Sequence, residues 1–264
     1  MSGLTPEQAA MIERLRNVLT EDERVLSAWL SGSIGQDRAD AFSDVDVTCV
    51  VEEEDLAACV AEYGGRRNPV GPTVHQTIVY GRVAANTAPD WMRYDLAFMT
   101  PVEFRGQDPA RLKPLVRAQR PPTGKTFQGQ IPGAQIAATA AEFIRILGLL
   151  PVAVGRREWL SAVEGLALMR RMTIDLMIEA NGRTHERGGV KKLNPLLTDE
   201  QRAALEATFP ATMDQAGMVA ANLKLCALFF PVARELAEAR QAVWPDDFEA
   251  ATRAHLKAAL GFEF

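Results

Sequence analysis

Apolar residues repeat at helical spacing almost from the start of the chain. Met11, Ile12, Leu15, Val18 and Leu19 fall three and four apart behind Thr5-Pro6-Glu7, a capping residue followed by a proline in the first turn. This pattern predicts an N-terminal packing helix. Val25 to Leu30 then reads as a strand ending on Ser31-Gly32-Ser33, and the polar stretch up to Ser43 as a loop or short helical turn. From Asp44 to Val51 the sequence DVDVTCVV begins by alternating acids with valines, the period of a strand with one apolar face. Glu52 to Tyr63 predicts a helix stopped by Gly64-Gly65, and its acidic start, Glu52 to Asp55, suits the positive end of the helix dipole. Thr73 to Tyr80 and Trp91 to Met99 predict a pair of strands joined by a polar turn around Asn86 to Asp90.

The pattern changes between Arg117 and Gln135, where Pro121, Pro122, Gly124, Gly129, Pro132 and Gly133 cluster in a segment unsuited to regular structure. A domain boundary is expected there, separating residues 1–120 from residues 134–264. Beyond it the periodicity is helical over Ala134 to Leu150, Glu158 to Ala180, Asp199 to Thr208, Met213 to Arg240 and Asp246 to Leu260. The expected fold class is α+β, a small mixed β-sheet domain followed by an α-helical bundle domain.

Composition narrows the function classes more than the fold. Of 264 residues 47% are hydrophobic and 24% charged, ordinary values for a globular chain with a real core. The net charge of -5 argues against a duplex DNA or RNA partner, which calls for a basic face to displace counterions from phosphates, and points to a small-molecule acceptor. Cys49, Cys59 and Cys226 lie in apolar or helical stretches without a CxxC spacing and read as reduced core thiols. The first residues lack a basic start followed by an apolar stretch. The longest apolar run, near Ala220 to Ala233, is broken by Lys224 and Pro231, short of the roughly 20 residues of a membrane span. A soluble cytoplasmic protein with no membrane partner is expected. Oligomeric state is left open.

Chemistry concentrates in a few residues of the first half. Asp44 and Asp46 are two apart on a strand, so their carboxylates project from one face with Cα atoms about 6.6 to 7 Å apart. Two such groups can converge on one ion. Asp95, on a second predicted strand, can complete the oxygen cage that magnesium prefers, and its neighbours Tyr94, Leu96, Ala97 and Phe98 are expected to keep it in a protein-lined cleft. A bound cation holds such a carboxylate ionised, where burial alone would neutralise it. Gly32-Ser33 ends the preceding strand, where a glycine lets the backbone approach a phosphate and a serine hydroxyl donates to its oxygens. Arg38, in the loop that follows, can add a cationic contact to a triphosphate.

These residues, LSGSIGQDRADAFSDVDV with Asp95 in RYDLAF, resemble the polymerase-β-like nucleotidyltransferases, whose pattern is a hydrophobic strand, Gly-Ser, about a dozen residues, then acid-hydrophobic-acid. Ser43 matches the serine that often precedes the acidic pair in that family, and Asp95 matches its third acid. Ser31 departs from the hydrophobic residue more common before the glycine. The motif covers residues 30 to 47 plus 95. The layout of a small α+β half and a helical half looks like the antibiotic-modifying branch, in which aminoglycosides or lincosamides receive AMP from ATP. The resemblance implies two magnesium ions held by Asp44, Asp46 and Asp95, with ATP as co-substrate. Asp95 is either a metal ligand or the general base. In GGVKKLNPLL, Gly188 to Leu197, Lys191 and Lys192 look similar to the lysine-bearing stretch placed near the triphosphate, and the alternative is an exposed basic pair.

Other readings compete. Asp44 and Asp46 alone could be the charged face of an edge strand, but Gly32-Ser33 upstream and Asp95 downstream weigh against it. Asp95 could also be a salt-bridge partner of Arg93 or Arg82. On the helix from Glu158 to Ala180, Glu164, Arg171 and Asp175 share one stripe, so Glu164 or Asp175 is a candidate for acceptor binding, against a solvated face with an Arg171–Asp175 pair. Gly124-Lys125-Thr126 lacks the first glycine of a phosphate loop, since Gln119 stands there, and His75, His185 and His255 lack the spacing of a zinc site. Two alternative functions remain: transfer to a protein or nucleotide acceptor, as in toxin or regulatory enzymes, and a catalytically silent nucleotide-binding module.

Overall fold

The computed structural model describes residues 4–124, 130–182 and 193–264. The chain divides into two compact units, residues 1–127 and 128–264. The fold is α+β: a mixed six-stranded sheet with helices, then an array of helices.

The first unit opens with α1 (Pro6–Glu21), whose N-terminus is closed by a reciprocal box: the Thr5 hydroxyl accepts from Gln8 N–H and Gln8 Oε1 accepts from Thr5 N–H. β1 (Val25–Leu30) leads into a one-turn helix α2 (Gly32–Gly35), then β2 (Val45–Val51) and α3 (Glu53–Tyr63) follow. β3 (His75–Val79), β4 (Val83–Thr87), β5 (Arg93–Met99), α4 (Pro101–Arg105), a 3₁₀ turn at Pro109–Arg111 and β6 (Lys113–Val116) complete it. The sheet order is β3-β4-β5-β2-β1-β6, with β2 and β5 parallel and every other pair antiparallel.

Alternation along the two central strands decides what each face carries. Val45, Val47, Cys49 and Val51 on β2 and Tyr94, Leu96 and Phe98 on β5 join Met11, Leu15 and Leu19 of α1 and Leu56, Cys59 and Tyr63 of α3 in the main core. The opposite face carries Asp46, Thr48 and Val50, and Asp95, Ala97 and Met99. At its far end Val50 and Met99 pack with Trp29 and Phe104. Asp95 is therefore not enclosed by its apolar neighbours in sequence, because Tyr94, Leu96 and Phe98 point to the other side.

The segment 73–99 forms three strands, where the hydrophobic pattern predicts two. Asn86, expected in a turn, lies in the middle of β4, and the reversal falls earlier, at Tyr80-Gly81-Arg82, where Tyr80 and Gly81 have positive φ. Asn86 is tolerated in a buried strand because its amide is satisfied: Nδ2 donates to Ala84 O at 3.0 Å and Oδ1 accepts from Asn68 Nδ2 at 3.0 Å. β6 also lacks a clear sequence signal, being four residues long with Pro114 inside, a composition confined to sheet edges.

The second unit comprises α5 (Gly133–Gly148), α6 (Leu150–Arg156), α7 (Trp159–Ala180), α8 (Asp199–Glu206), α9 (Gln215–Ala239) and α10 (Asp246–Leu260). The separate α6 was not expected. Pro151 sits in its first turn and cannot continue the hydrogen bonding of α5, and Arg157, at φ 56°, ends it before α7. The core runs through Ile136, Phe143, Ile144, Leu166, Met218, Leu225 and Phe229, with Phe143 and Phe229 stacked at 3.6 Å. Residues 133–156 and 215–239 are long and apolar enough to cross a bilayer by length and composition, yet their most buried side chains form this core. All three cysteines are buried and free, and burial pushes the Cys59 thiol up to about 11.

Candidate active site

The parallel register of β2 and β5 sets Asp46 directly beside Asp95. Paired positions on adjacent strands direct their side chains to the same face, so the two carboxylates stand next to each other. Asp44, just before β2 and only 8% exposed, lies two residues from Asp46 and adds a third carboxylate from the same side. One oxygen from each of Asp44, Asp46 and Asp95 lies within 4.8 Å of the others. Three carboxylates this close repel one another, and the arrangement suits a hard cation with oxygen ligands.

Gly32 and Ser33 close the other side of the group. Gly32 has φ 55°, and a β-carbon there would collide with Asp46 Oδ2 and stand 2.7 Å from Asp46 Cγ. Ser31 N–H donates to Asp46 O at 2.9 Å, tying the entry of α2 to the acidic strand. Ser33, the next residue, has a buried Oγ with no hydrogen-bond partner among the described residues. The donor set, the cradle that a β-carbon would fill and the orphaned hydroxyl fit a divalent cation with an attached phosphate.

The loop that delivers Asp44 is held from two elements. Gln8 on α1 is 1% exposed, and its Nε2 donates to Asp40 O and Ser43 O, both at 2.8 Å. Arg93, at the start of β5, donates from Nη2 to Phe42 O at 3.1 Å and brings Nη1 to 3.9 Å from Asp44 Oδ2. Sequence reading missed both residues as supports of the site. Gln8 falls in an ordinary capping box, and its contacts span 32 and 35 residues, which no local spacing reports. Arg93 pairs with Asp44, and Arg82, the other cation considered for Asp95, binds Glu103 at 2.6 Å.

The remaining candidates fall in different settings. The Ser43 hydroxyl donates to Asp40 Oδ1 and accepts from Asp40 N–H, both at 3.0 Å, so it shapes the turn before Asp44. Arg38 is exposed, its Nη2 on Gln36 Oε1 at 2.6 Å. Asp37, beside it in the loop, forms an ion pair with Lys113. On α7, Asp175 pairs with Arg171 at 3.0 Å and Glu164 is exposed. Lys191 and Lys192 lie outside the described residues.

No family model matches the sequence, and neither does any curated protein. Among solved structures the chain is similar to an aminoglycoside 6-adenyltransferase from Bacillus subtilis, with 16% identity over 95% of this chain and 97% of the other and a TM-score of 0.45.

Proposed function

We propose that the protein is a magnesium-dependent nucleotidyltransferase that moves AMP from ATP to a hydroxyl of a small molecule, with aminoglycoside and lincosamide antibiotics as the first acceptor classes to test. The observation that carries this reading is the convergence of Asp44, Asp46 and Asp95 within 4.8 Å, against a glycine and an unpartnered serine hydroxyl. The spacing of the same residues resembles the polymerase-β-like pattern. A cytoplasmic location belongs to this same proposal, with ATP as co-substrate.

In this reading Asp44 and Asp46 would hold two magnesium ions, and Asp95 would add a ligand to one of them. Magnesium would supply charge neutralisation at the phosphates, and the acceptor hydroxyl would replace pyrophosphate on the α-phosphorus. Gly32 lets the backbone approach the triphosphate, and Ser33 Oγ donates to one of its oxygens. Ser43 keeps the Asp40 turn and so the aim of Asp44, while Arg38, Lys191 and Lys192 are candidates for further triphosphate contacts. Glu164 and Asp175 are candidates for holding a cationic acceptor. Asp95 has a second possible role, taking the proton of the attacking hydroxyl. Manganese binding separates the two: Asp95→Asn loses affinity if Asp95 is a ligand and keeps it if Asp95 is the base.

The test is pyrophosphate release from ATP and magnesium, screened over aminoglycosides, lincosamides and cell extract. Release with a small molecule, abolished by Asp46→Asn in a variant that stays folded, is the expected outcome. Wild-type turnover in Asp46→Asn would sink the metal-site reading. Labelling of a protein in the extract would instead favour a protein acceptor, and ATP binding without pyrophosphate release in any well a silent nucleotide-binding module.

A further inference from the structure

The two edges of the six-stranded sheet are built differently. β6 has Pro114 inside it, carries Lys113, and shifts register against β1 between Ala28 and Trp29. Each of these features discourages a further strand from adding. β3 has none of them. It pairs with β4 without a register shift and, among the described residues, on that side only. Thr73 to Tyr80 contains no proline and no Asp, Glu, Lys or Arg.

This open edge is also apolar where water reaches it. Gln76 and Ile78 stand opposite Asn86 and Ala84 of β4, both buried, so Val74, Gln76 and Ile78 lie on the core face of the sheet. The helical cover ends at Ile78, where a β-carbon on Gly64, just past α3, would stand 2.8 Å from Ile78 Cγ1. Ile78 is nevertheless 45% exposed and Val74 62%. Tyr80, in the turn into β4, is 91% exposed with φ 51°, a conformation that Asn, Asp and Gly favour in such turns. A tyrosine there costs backbone strain that packing within one chain does not return.

A second copy of the same strand matches this edge. Full antiparallel overlap of residues 74–80 puts a twofold axis at Thr77. Thr77 then faces Thr77, Val74 faces Tyr80, Gln76 faces Ile78 and His75 faces Val79 of the second copy. Threonine pairs and aromatic–β-branched pairs stabilise antiparallel sheets, and no like charges meet. A charged partner strand would find no counter-charge on β3. Two copies also close the assembly, because each has one open edge and Pro114 guards the other.

We propose that the chain dimerises through β3, which pairs with β3 of a second copy about a twofold axis at Thr77 and joins the two sheets into one. The inference does not rest on the reading of Asp44, Asp46 and Asp95.

The experiment follows the mass of the full-length chain by sedimentation velocity across the micromolar range, where a contact smaller than a standard interface is expected to associate. The wild type should pass from monomer to dimer as concentration rises, and no further. Thr77 is exposed, so a charge there should leave the fold and Tm of the monomer intact. Thr77→Lys and Thr77→Glu should each weaken the dimer by about fivefold or more, because like charges then stand opposite each other. An equimolar mixture of the two variants should recover a dimer within about threefold of wild type, because lysine then faces glutamate. Tyr80→Asn, which suits the turn, should keep Tm and weaken the dimer by about threefold or more. A wild type that stays monomeric throughout would overturn the proposal and leave the edge to a strand of another protein. Larger assemblies, a dimer indifferent to Thr77→Lys, or one lost in both charge variants and not recovered in their mixture would each overturn it as well.

Discussion

Gly32 is required to be glycine for two separate reasons. Its φ of 55° lies in the left-handed region, and the space where a side chain would begin is filled by the carboxylate of Asp46. Gly32→Ala should therefore act on the site as well as on the backbone. Stability should fall by about 1–2 kcal/mol in urea denaturation, and pyrophosphate release by about a hundredfold or more, since displacing Asp46 disturbs a group whose geometry sets the rate. A variant with lowered stability and an unchanged rate would show that Asp46 yields without consequence and would remove the close-approach argument. Gly32, Ser33, Asp44 and Asp46 were legible in the sequence because their relation is local, a turn at the end of one strand and alternation along the next. Asp95 was legible only as an acid on a second strand, since its alignment with Asp46 is fixed by a parallel register between residues far apart in the chain.

At the scale of elements, α1 is more than a packing helix. Its capping glutamine holds the carbonyls of Asp40 and Ser43, so the first turn of the chain sets the approach to Asp44. Gln8→Met removes both donors with little change of volume. It should cost about 1–3 kcal/mol for the carbonyls left without partners and weaken manganese binding, whereas a destabilised chain with wild-type manganese affinity would confine Gln8 to a structural role. The helices of the second unit were legible because each buries one long stripe, whereas β4, β6 and α6 are short elements whose Asn86, Pro114 and Pro151 read as breaks. Tertiary pairing decides such segments, and local pattern does not. Between α9 and α10, Glu249 is 4% exposed and accepts from Trp244 Nε1 and the guanidinium groups of Arg234 and Arg253 at 2.6–2.8 Å. Burial pushes its carboxyl up, but these hydrogen bonds and charges outweigh it and hold the group below the usual glutamate range. A depressed folded value means that the stabilisation is present above the unfolded value of about 4.3 and disappears as pH falls through the folded one. Glu249→Gln should lower Tm at pH 7, and the gap from wild type should close below about pH 4. A gap independent of pH would show that the charge on Glu249 contributes nothing.

Over the whole molecule, each unit carries its own core, one around Leu15, Val47, Leu96 and Tyr63 and the other around Phe143, Leu166 and Phe229. The end of the first is defined by β6 and by Arg117, whose guanidinium donates to the carbonyls of Thr20, Asp22 and Val25 at 2.6–3.2 Å. The second begins where Ile131 N–H donates to Glu179 at 3.0 Å, and Arg240 pairs with the same carboxylate at 3.3 Å. The cluster of prolines and glycines between them marked a boundary in the sequence, but neither anchor was visible there, because both join residues about 50 to 100 positions apart. We therefore expect residues 1–124 and 130–264 to fold when expressed separately, the second with a purely helical circular dichroism spectrum, each with a single cooperative melt. Residues 1–112 should fail to do so, since that cut removes β6 and Arg117 and leaves the edge of β1 and three carbonyls without partners. A cooperative melt for 1–112 equal to that of 1–124 would show that the edge strand contributes nothing to the fold. Separately unfolded fragments that melt cooperatively only as the intact chain would show that neither core suffices alone.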